Sequence, residues 1–189
     1  MASGSFGPTA LVTPANGITI GRIAVTPILL AVILGGGDSW PAIALWTVLS
    51  GTDWVDGYLA RRQGVTRSGA FLDPLADKFL VLGALVALVA RGVFWWVPVA
   101  VIAGREVAIS VYRGVAGRNG ISVPARWWAK VKTVVQQVAV AFALLPLTAT
   151  DHRVLAEACL WASLVLALVT GTQYLLDARK VEAAARSAG

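Results

Sequence analysis

Residues 53–77 read DWVDGYLARRQGVTRSGAFLDPLAD and contain four of the ten acidic residues of the chain. Asp53 and Asp56 are three residues apart at the end of one apolar segment, and Asp73 and Asp77 are four residues apart at the start of the next. Either spacing puts two side chains on one face of a helix. Because a short connection makes the two helices antiparallel neighbours, we expect the four carboxylates to converge.

The composition around this stretch indicates a membrane protein rather than a soluble protein with an apolar core. Of 189 residues, 57% are hydrophobic and 14% are charged, whereas a soluble domain carries about 25% charged residues. Several apolar blocks approach the roughly 20 residues that cross a bilayer as a helix. The net charge is +6, but the basic residues cluster between apolar blocks, where they set topology and meet anionic lipid. We therefore expect no nucleic-acid partner.

Six apolar segments predict an all-α integral membrane protein, a bundle of six transmembrane helices. The segments are about 18–36, 40–61, 70–90, 93–113, 131–150 and 154–176. We expect one six-helix domain over residues 16–180. Residues 1–15, rich in Gly, Ser, Thr and Pro, are expected to be flexible or to lie on the surface, and residues 181–189 to form a C-terminal tail.

Lys and Arg are divided unequally between the two sides that six spans would create. The connections near 35–39, 91–92 and 150–153 contain only Arg91 and Arg153, and all other basic residues fall on the opposite side. Because cytoplasmic loops are enriched in Lys and Arg, we expect a multi-pass protein of the cytoplasmic membrane. Both termini and the acidic stretch should face the cytoplasm.

Four carboxylates close together at a membrane edge repel one another strongly. A charged side chain at mid-bilayer also costs at least about 2.5–3.5 kcal/mol, and somewhat less near the interface, so the four carboxylates need cations nearby. One source of positive charge is ion pairing with Arg61, Arg62, Arg67 and Lys78. The other is divalent metal, and ligation by oxygen alone favours Mg²⁺ or Mn²⁺ over zinc. Ion pairing and metal would explain one pair of aspartates equally well, whereas two pairs that face each other favour metal.

The spacing of the whole stretch is D-x2-D-G-x2-A-R-x7-G-x3-D-x3-D, with eight fixed residues over 25 positions. This pattern resembles the signature of the CDP-alcohol phosphotransferase family, and all eight fixed positions are filled. The six predicted helices, which cover nearly the whole chain, also fit that family. The resemblance implies a membrane enzyme that transfers a phosphatidyl group from a CDP-linked lipid to an alcohol, and it implies a homodimer.

The resemblance also implies roles for individual residues. Two divalent ions, Mg²⁺ or Mn²⁺, would bind the diphosphate of the donor, and their ligands would be Asp53, Asp56, Asp73 and Asp77. Asp77 would also act as the catalytic base that takes the proton of the acceptor hydroxyl. The CDP donor would be bound by Asp56, Gly57, Ala60, Arg61 and Gly69.

Basic residues of the fourth and fifth segments indicate an acceptor that carries a phosphate, since Arg and Lys bind phosphate well. The candidates are Arg105, Arg113, Arg118, Lys130 and Lys132, although the basic charge of a cytoplasmic side would place such residues here in any case. Four short runs resemble the branch of the family that makes phosphatidylglycerophosphate: residues 16–22, 73–78, 104–106 and 130–136. That branch uses CDP-diacylglycerol and sn-glycerol 3-phosphate and releases CMP.

Other functions remain open at this point. A phosphatidylinositol phosphate synthase or a cardiolipin synthase of the same family would share the aspartates and differ in the acceptor. A cation transporter with an intramembrane carboxylate site belongs to another class, and it predicts carboxylates near mid-bilayer rather than at one edge. The only histidine, His152, is expected in a loop on the non-cytoplasmic side, which argues against a phosphohistidine intermediate.

Overall fold

Six helices follow one another along the chain in the computed structural model. Their bounds are α1 Pro14–Gly35, α2 Trp40–Gln63, α3 Arg67–Ala90, α4 Trp96–Arg118, α5 Trp127–Leu144 and α6 Asp151–Ser187. The structure describes the backbone of residues 14–36, 39–63, 67–118, 127–146 and 151–187. It describes the side chains of residues 16–36, 39–52, 73–116, 127–128, 130–146 and 152–179.

The prediction of an all-α chain with six helices is confirmed, since each predicted apolar segment coincides with one helix. The largest differences lie at α5 and α6. α5 ends at Leu144, earlier than predicted, because Pro146 follows and the residue before a proline avoids helical geometry. α6 begins at Asp151, so His152 lies in its first turn and is buried. The prediction of a loop histidine is wrong, because charged residues lower local hydropathy where a helix can still begin.

The interior is apolar and draws on all six helices. α1 packs against α2 and α3, α5 packs against α6, and α3 joins these groups through its contacts with α4 and α5. Trp46 of α2 is fully buried, and its indole Nε1 donates to the carbonyl oxygen of Gln137 on α5 over 3.3 Å. Gly83 of α3 lets Leu30 of α1 approach, because a Cβ at Gly83 would lie 3.1 Å from Leu30 Cδ1.

The end of α3 fixes how α1 and α3 lie along each other. Gly92 has a φ of 70°, and its amide donates to Val89 while that of Val93 donates to Leu88. These two bonds form a Schellman motif, which requires left-handed geometry that glycine adopts easily. In the same turn, Arg91 Nη1 donates to the carbonyl oxygen of Ile33 over 2.8 Å, near the end of α1. The ends of α1 and α3 far from the aspartates are therefore tied together.

Two helices within the described residues are apolar and long enough to cross a membrane by length and composition, over Asn16–Gly35 and His152–Arg179. Large apolar side chains are also exposed on α3 and α4, for example Val86 and Val111. That all six helices span a membrane, with both termini in the cytoplasm, stays a prediction.

Candidate functional site

The first half of α3 presents two acidic side chains one turn apart. Asp73 and Asp77 are both half-buried, and they share one face of the helix. Pro74 lies between them, inside the helix, and it cannot donate a hydrogen bond to the carbonyl four residues before it. This part of α3 therefore offers oxygen atoms, from carboxylates and from backbone, on a partly accessible surface.

α1 adds a buried polar stripe beside these carboxylates. Asn16, Thr19, Arg22 and Thr26 follow one another at helical spacing and are all buried. The Thr19 hydroxyl donates to Asp73 Oδ1 over 2.7 Å and so links α1 to α3. The same face of α1 becomes apolar further on, from Leu29. The buried face of α1 is therefore polar at the start of the helix, where it contacts the acidic face of α3, and apolar towards its end, where it packs in the core.

A buried ionic cluster joins α4, α5 and α6. Glu106 Oε1 accepts from Arg105 Nη1 over 2.7 Å and also from the ammonium of Lys132. Arg105 donates from Nε to the carbonyl oxygen of Ala167 over 3.1 Å and from Nη2 to the Thr170 hydroxyl over 2.9 Å. The Lys132 side chain is 4% exposed and that of Glu106 is 11% exposed. Two cations thus share one carboxylate, which leaves the cluster with net positive charge.

The basic cluster and the acidic face of α3 lie at the same end of the bundle. Lys78, the residue after Asp77, is close enough to Lys132 for the two ammonium groups to repel each other. Gln136, one turn after Lys132 on α5, is buried, and its Nε2 has no hydrogen-bond partner among the described residues. The acidic face of α3 therefore lies near a cluster with net positive charge. Carboxylates can hold metal ions and basic side chains can bind phosphate, so this arrangement suits a substrate that carries phosphate groups.

The structure describes only some of the predicted site residues. The backbone of α2 is helical through Gln63 and that of α3 from Arg67, which puts the two aspartate pairs on consecutive helices as predicted. The side chains of the predicted metal ligands of α2 and of the predicted donor-binding residues lie outside the described ones: Asp53, Asp56, Gly57, Ala60, Arg61 and Gly69. Among the described side chains, no group of three or more His, Cys, Asp or Glu residues could hold a metal ion.

The predicted acceptor residues fall into two groups. Arg105 and Lys132 come together at Glu106. Arg113 and Lys130 are exposed, and the side chain of Arg118 lies outside the described ones. The role of Glu106 is not evident from sequence alone, although its place as the one acidic residue between positions 78 and 150 is a usable signal.

Comparison with known proteins gives a consistent result. The sequence pattern of a family described as CDP-alcohol phosphatidyltransferase matches residues 12–169. A "probable phosphatidylglycerophosphate synthase" of Mycobacterium tuberculosis is 39% identical over 171 residues, covering 87% of this chain and 80% of that protein. A "CDP-diacylglycerol--glycerol-3-phosphate 3-phosphatidyltransferase" of Bacillus subtilis is 37% identical, covering 84% of this chain and 91% of that protein. The protein of that name from Escherichia coli K12 is 37% identical, with coverages of 86% and 92%.

Proposed function

The chain belongs to the CDP-alcohol phosphatidyltransferase family, and from this premise we propose the reaction that it catalyses. It is a transferase that moves phosphatidyl from CDP-diacylglycerol to sn-glycerol 3-phosphate, giving phosphatidylglycerophosphate and CMP. The structural observation that supports this reaction best is the buried cluster of Arg105, Glu106 and Lys132 at the same end of the bundle as Asp73 and Asp77.

The four aspartates are the proposed metal ligands: Asp53, Asp56, Asp73 and Asp77. The family uses divalent metals in general. Donors that are all carboxylate oxygens fit Mg²⁺ or Mn²⁺, which prefer oxygen ligands, and the half-buried Asp73 and Asp77 offer such donors on one face of α3. Two such ions, when bound, would neutralise the diphosphate of the donor and the charge that develops on CMP.

The nucleotide part of the donor is proposed to lie along the end of α2 and the start of α3. Asp56, Gly57, Ala60, Arg61 and Gly69 are the proposed contacts. Glycine and alanine leave room for the nucleotide to approach the helices, and an arginine at position 61 would pair with its phosphates.

Asp77 is the proposed general base. Its carboxylate would accept the proton of the acceptor hydroxyl as that oxygen bonds to the phosphorus of the phosphatidyl group. The bond from that phosphorus to the oxygen of CMP then breaks, and CMP leaves with the electron pair. A carboxylate within hydrogen-bonding reach of the hydroxyl is what this step needs, and Asp77 is a half-buried carboxylate on the acidic face of α3.

The acceptor phosphate is proposed to bind against the basic cluster. Arg105 and Lys132 would face it, and Glu106 orients both side chains. A buried cluster of two cations and one carboxylate has one excess positive charge, and a bound phosphate would neutralise it. Arg113, Arg118 and Lys130 are proposed to extend the basic surface through which the acceptor enters.

The location and assembly of the enzyme complete the proposal. The family and its relatives indicate a membrane-bound bacterial enzyme. We propose that all six helices span the cytoplasmic membrane and that the aspartates open to the cytoplasm. Exposed tryptophans at the starts of three helices, Trp40, Trp96 and Trp127, support this arrangement, because tryptophan is enriched at both membrane interfaces. A homodimer is proposed as well.

An assay with a panel of acceptors tests the proposed function. Purified protein receives CDP-diacylglycerol and Mg²⁺ or Mn²⁺ with glycerol 3-phosphate, inositol 1-phosphate or phosphatidylglycerol, and CMP release and the lipid product are measured. We expect CMP and phosphatidylglycerophosphate with glycerol 3-phosphate alone, and none after removal of divalent metal. Turnover with inositol 1-phosphate or phosphatidylglycerol instead would identify the other family reactions. No CMP with any acceptor would remove the enzyme function and leave cation transport.

A further inference from the structure

The hydrogen bond between Thr19 and Asp73 crosses from α1 to the acidic face of α3. It joins the Thr19 hydroxyl to Asp73 Oδ1 over 2.7 Å, and the two residues are 54 positions apart in the sequence. Thr19 is fully buried, so water does not compete for its hydroxyl. A short bond from a buried donor to a carboxylate fixes the orientation of that carboxylate strongly.

We infer that Thr19 is a positioning residue, which holds the Asp73 carboxylate in the orientation that binds a divalent cation. This inference rests on the proposed function only in taking Asp73 as a metal ligand. Groups that hydrogen-bond to a ligating carboxylate orient it and tune its affinity for the ion, and their removal typically weakens metal binding about 10- to 100-fold. The bond engages Oδ1, and Oδ2 is the oxygen that we propose as the donor to the cation.

The rest of α1 supports a role for this bond beyond helix packing. α1 and α3 are already held together by apolar packing, by the close approach of Leu30 to Gly83, and by the bond from Arg91 to Ile33. These contacts lie away from the aspartates. A polar bond at the start of α1 is therefore not required to join the two helices, but it does determine how Asp73 points.

Thr26 offers a matched comparison on the same helix. Like Thr19 it is fully buried, and it lies two turns further along the same face of α1. Its hydroxyl donates to the backbone carbonyl of Arg22 over 2.7 Å, as threonines in helices commonly do. Loss of the Thr26 hydroxyl thus removes a buried polar group of the same kind from the same helix without touching a carboxylate.

The experiment compares Thr19→Val, Thr19→Ser and Thr26→Val with the wild type. The affinity of the purified, substrate-free protein for Mn²⁺ is measured by electron paramagnetic resonance of the free ion, thermal stability is recorded for each variant, and kcat and KM are measured with each substrate. Valine matches threonine in shape and has a methyl group in place of the hydroxyl, whereas serine keeps the hydroxyl and lacks the methyl group.

We expect Thr19→Val to raise the Kd for Mn²⁺ about 10-fold or more and to lower kcat at fixed Mn²⁺ more than it changes either KM. Thr19→Ser should restore the Mn²⁺ affinity, and Thr26→Val should leave it at the wild-type value. The inference is overturned if Thr19→Val binds Mn²⁺ as the wild type does, if Thr19→Ser is as weak as Thr19→Val, or if Thr26→Val weakens binding equally.

This comparison separates the inference from the proposed function. The Mn²⁺ measurement uses no substrate, so a wild type that releases no CMP would contradict the proposed reaction while the Mn²⁺ affinities still decide the role of Thr19. An active wild type with equal Mn²⁺ affinity in Thr19→Val would contradict the inference and leave the reaction standing. A wild type that binds no Mn²⁺ would overturn the inference as well.

Discussion

At the scale of the residue, Glu106 fixes the positions of the two buried basic side chains, Arg105 and Lys132. One carboxylate oxygen accepts from both Arg105 and Lys132, and these two cations offset the cost of burying a negative charge. Arg105 is held further by Ala167 and Thr170. Its guanidinium is therefore fixed in place, whereas the ammonium of Lys132 has capacity for further acceptors, since it carries three donors.

Asp77→Asn tests the proposed base. The amide keeps the size of the side chain but cannot accept the proton, so we expect kcat to fall by about 10²- to 10⁴-fold, the usual contribution of general-base catalysis. Some binding of CDP-diacylglycerol should remain, measured as thermal stabilisation by the donor. Glu157→Gln, an exposed site on α6, serves as the control for loss of an acid. Full turnover in Asp77→Asn would exclude Asp77 as the base.

Lys132→Ala tests the acceptor pocket. A charge-assisted hydrogen bond contributes about 1.5–3 kcal/mol, so we expect the KM for glycerol 3-phosphate to rise about 10- to 100-fold and the KM for CDP-diacylglycerol to change less. Steady-state kinetics with each substrate varied in turn gives both values. Arg153→Ala, an exposed basic site at the start of α6, should change neither. Equal losses for the two substrates in Lys132→Ala would refute a separate acceptor pocket.

At the scale of the element, the aspartate pairs could be predicted from spacing, whereas their partners could not. An i, i+4 pair such as Asp73 and Asp77 is determined by helix geometry alone. The bond from Thr19 to Asp73 depends on how α1 lies on α3, and that register follows from packing that leaves no local signal in the sequence. The same holds for Thr170, which meets Arg105 only because α6 packs against α4.

A substitution at Gly171 tests how α6 positions Arg105. A Cβ at this glycine would lie 3.2 Å from Arg105 Nε and 3.4 Å from its Cγ, so Gly171→Val should displace the arginine. Overpacking of this kind costs about 1–3 kcal/mol, and we expect a Tm lower by about 2–10 °C and a higher KM for glycerol 3-phosphate. Gly114→Val on α4, where a Cβ meets open space, is the control. A Gly171→Val enzyme with wild-type stability and KM would contradict this account of α6.

At the scale of the whole molecule, composition was enough to predict six helices but not where each begins and ends. Apolar blocks mark the apolar part of each helix, and charged helix ends such as the start of α6 are left out of the blocks. The exposed apolar side chains on α1, α3, α4 and α6 agree with a protein that meets lipid. The proposed orientation of the bundle across the membrane rests on the distribution of Lys and Arg.

Cysteine labelling tests that direction. In a Cys159→Ala background, which removes the only cysteine, single cysteines are introduced at Gly36 and at Val115 and treated in intact cells with a membrane-impermeant maleimide. Both positions are exposed, and they lie near opposite ends of the bundle. We expect labelling at Gly36 only, with Val115 labelled after lysis. Labelling at Val115 in intact cells would reverse the proposed orientation.

The central claim is that the end of α2 and the start of α3 meet, so that their four aspartates share bound cations: Asp53, Asp56, Asp73 and Asp77. Crystals grown with Mn²⁺ and CDP-diacylglycerol, measured near the manganese absorption edge, test it most directly through the anomalous signal. The account predicts manganese peaks between the two helices, within bonding distance of carboxylates from both. Manganese bound elsewhere, or aspartates of α2 that point away from Asp73 and Asp77, would contradict it.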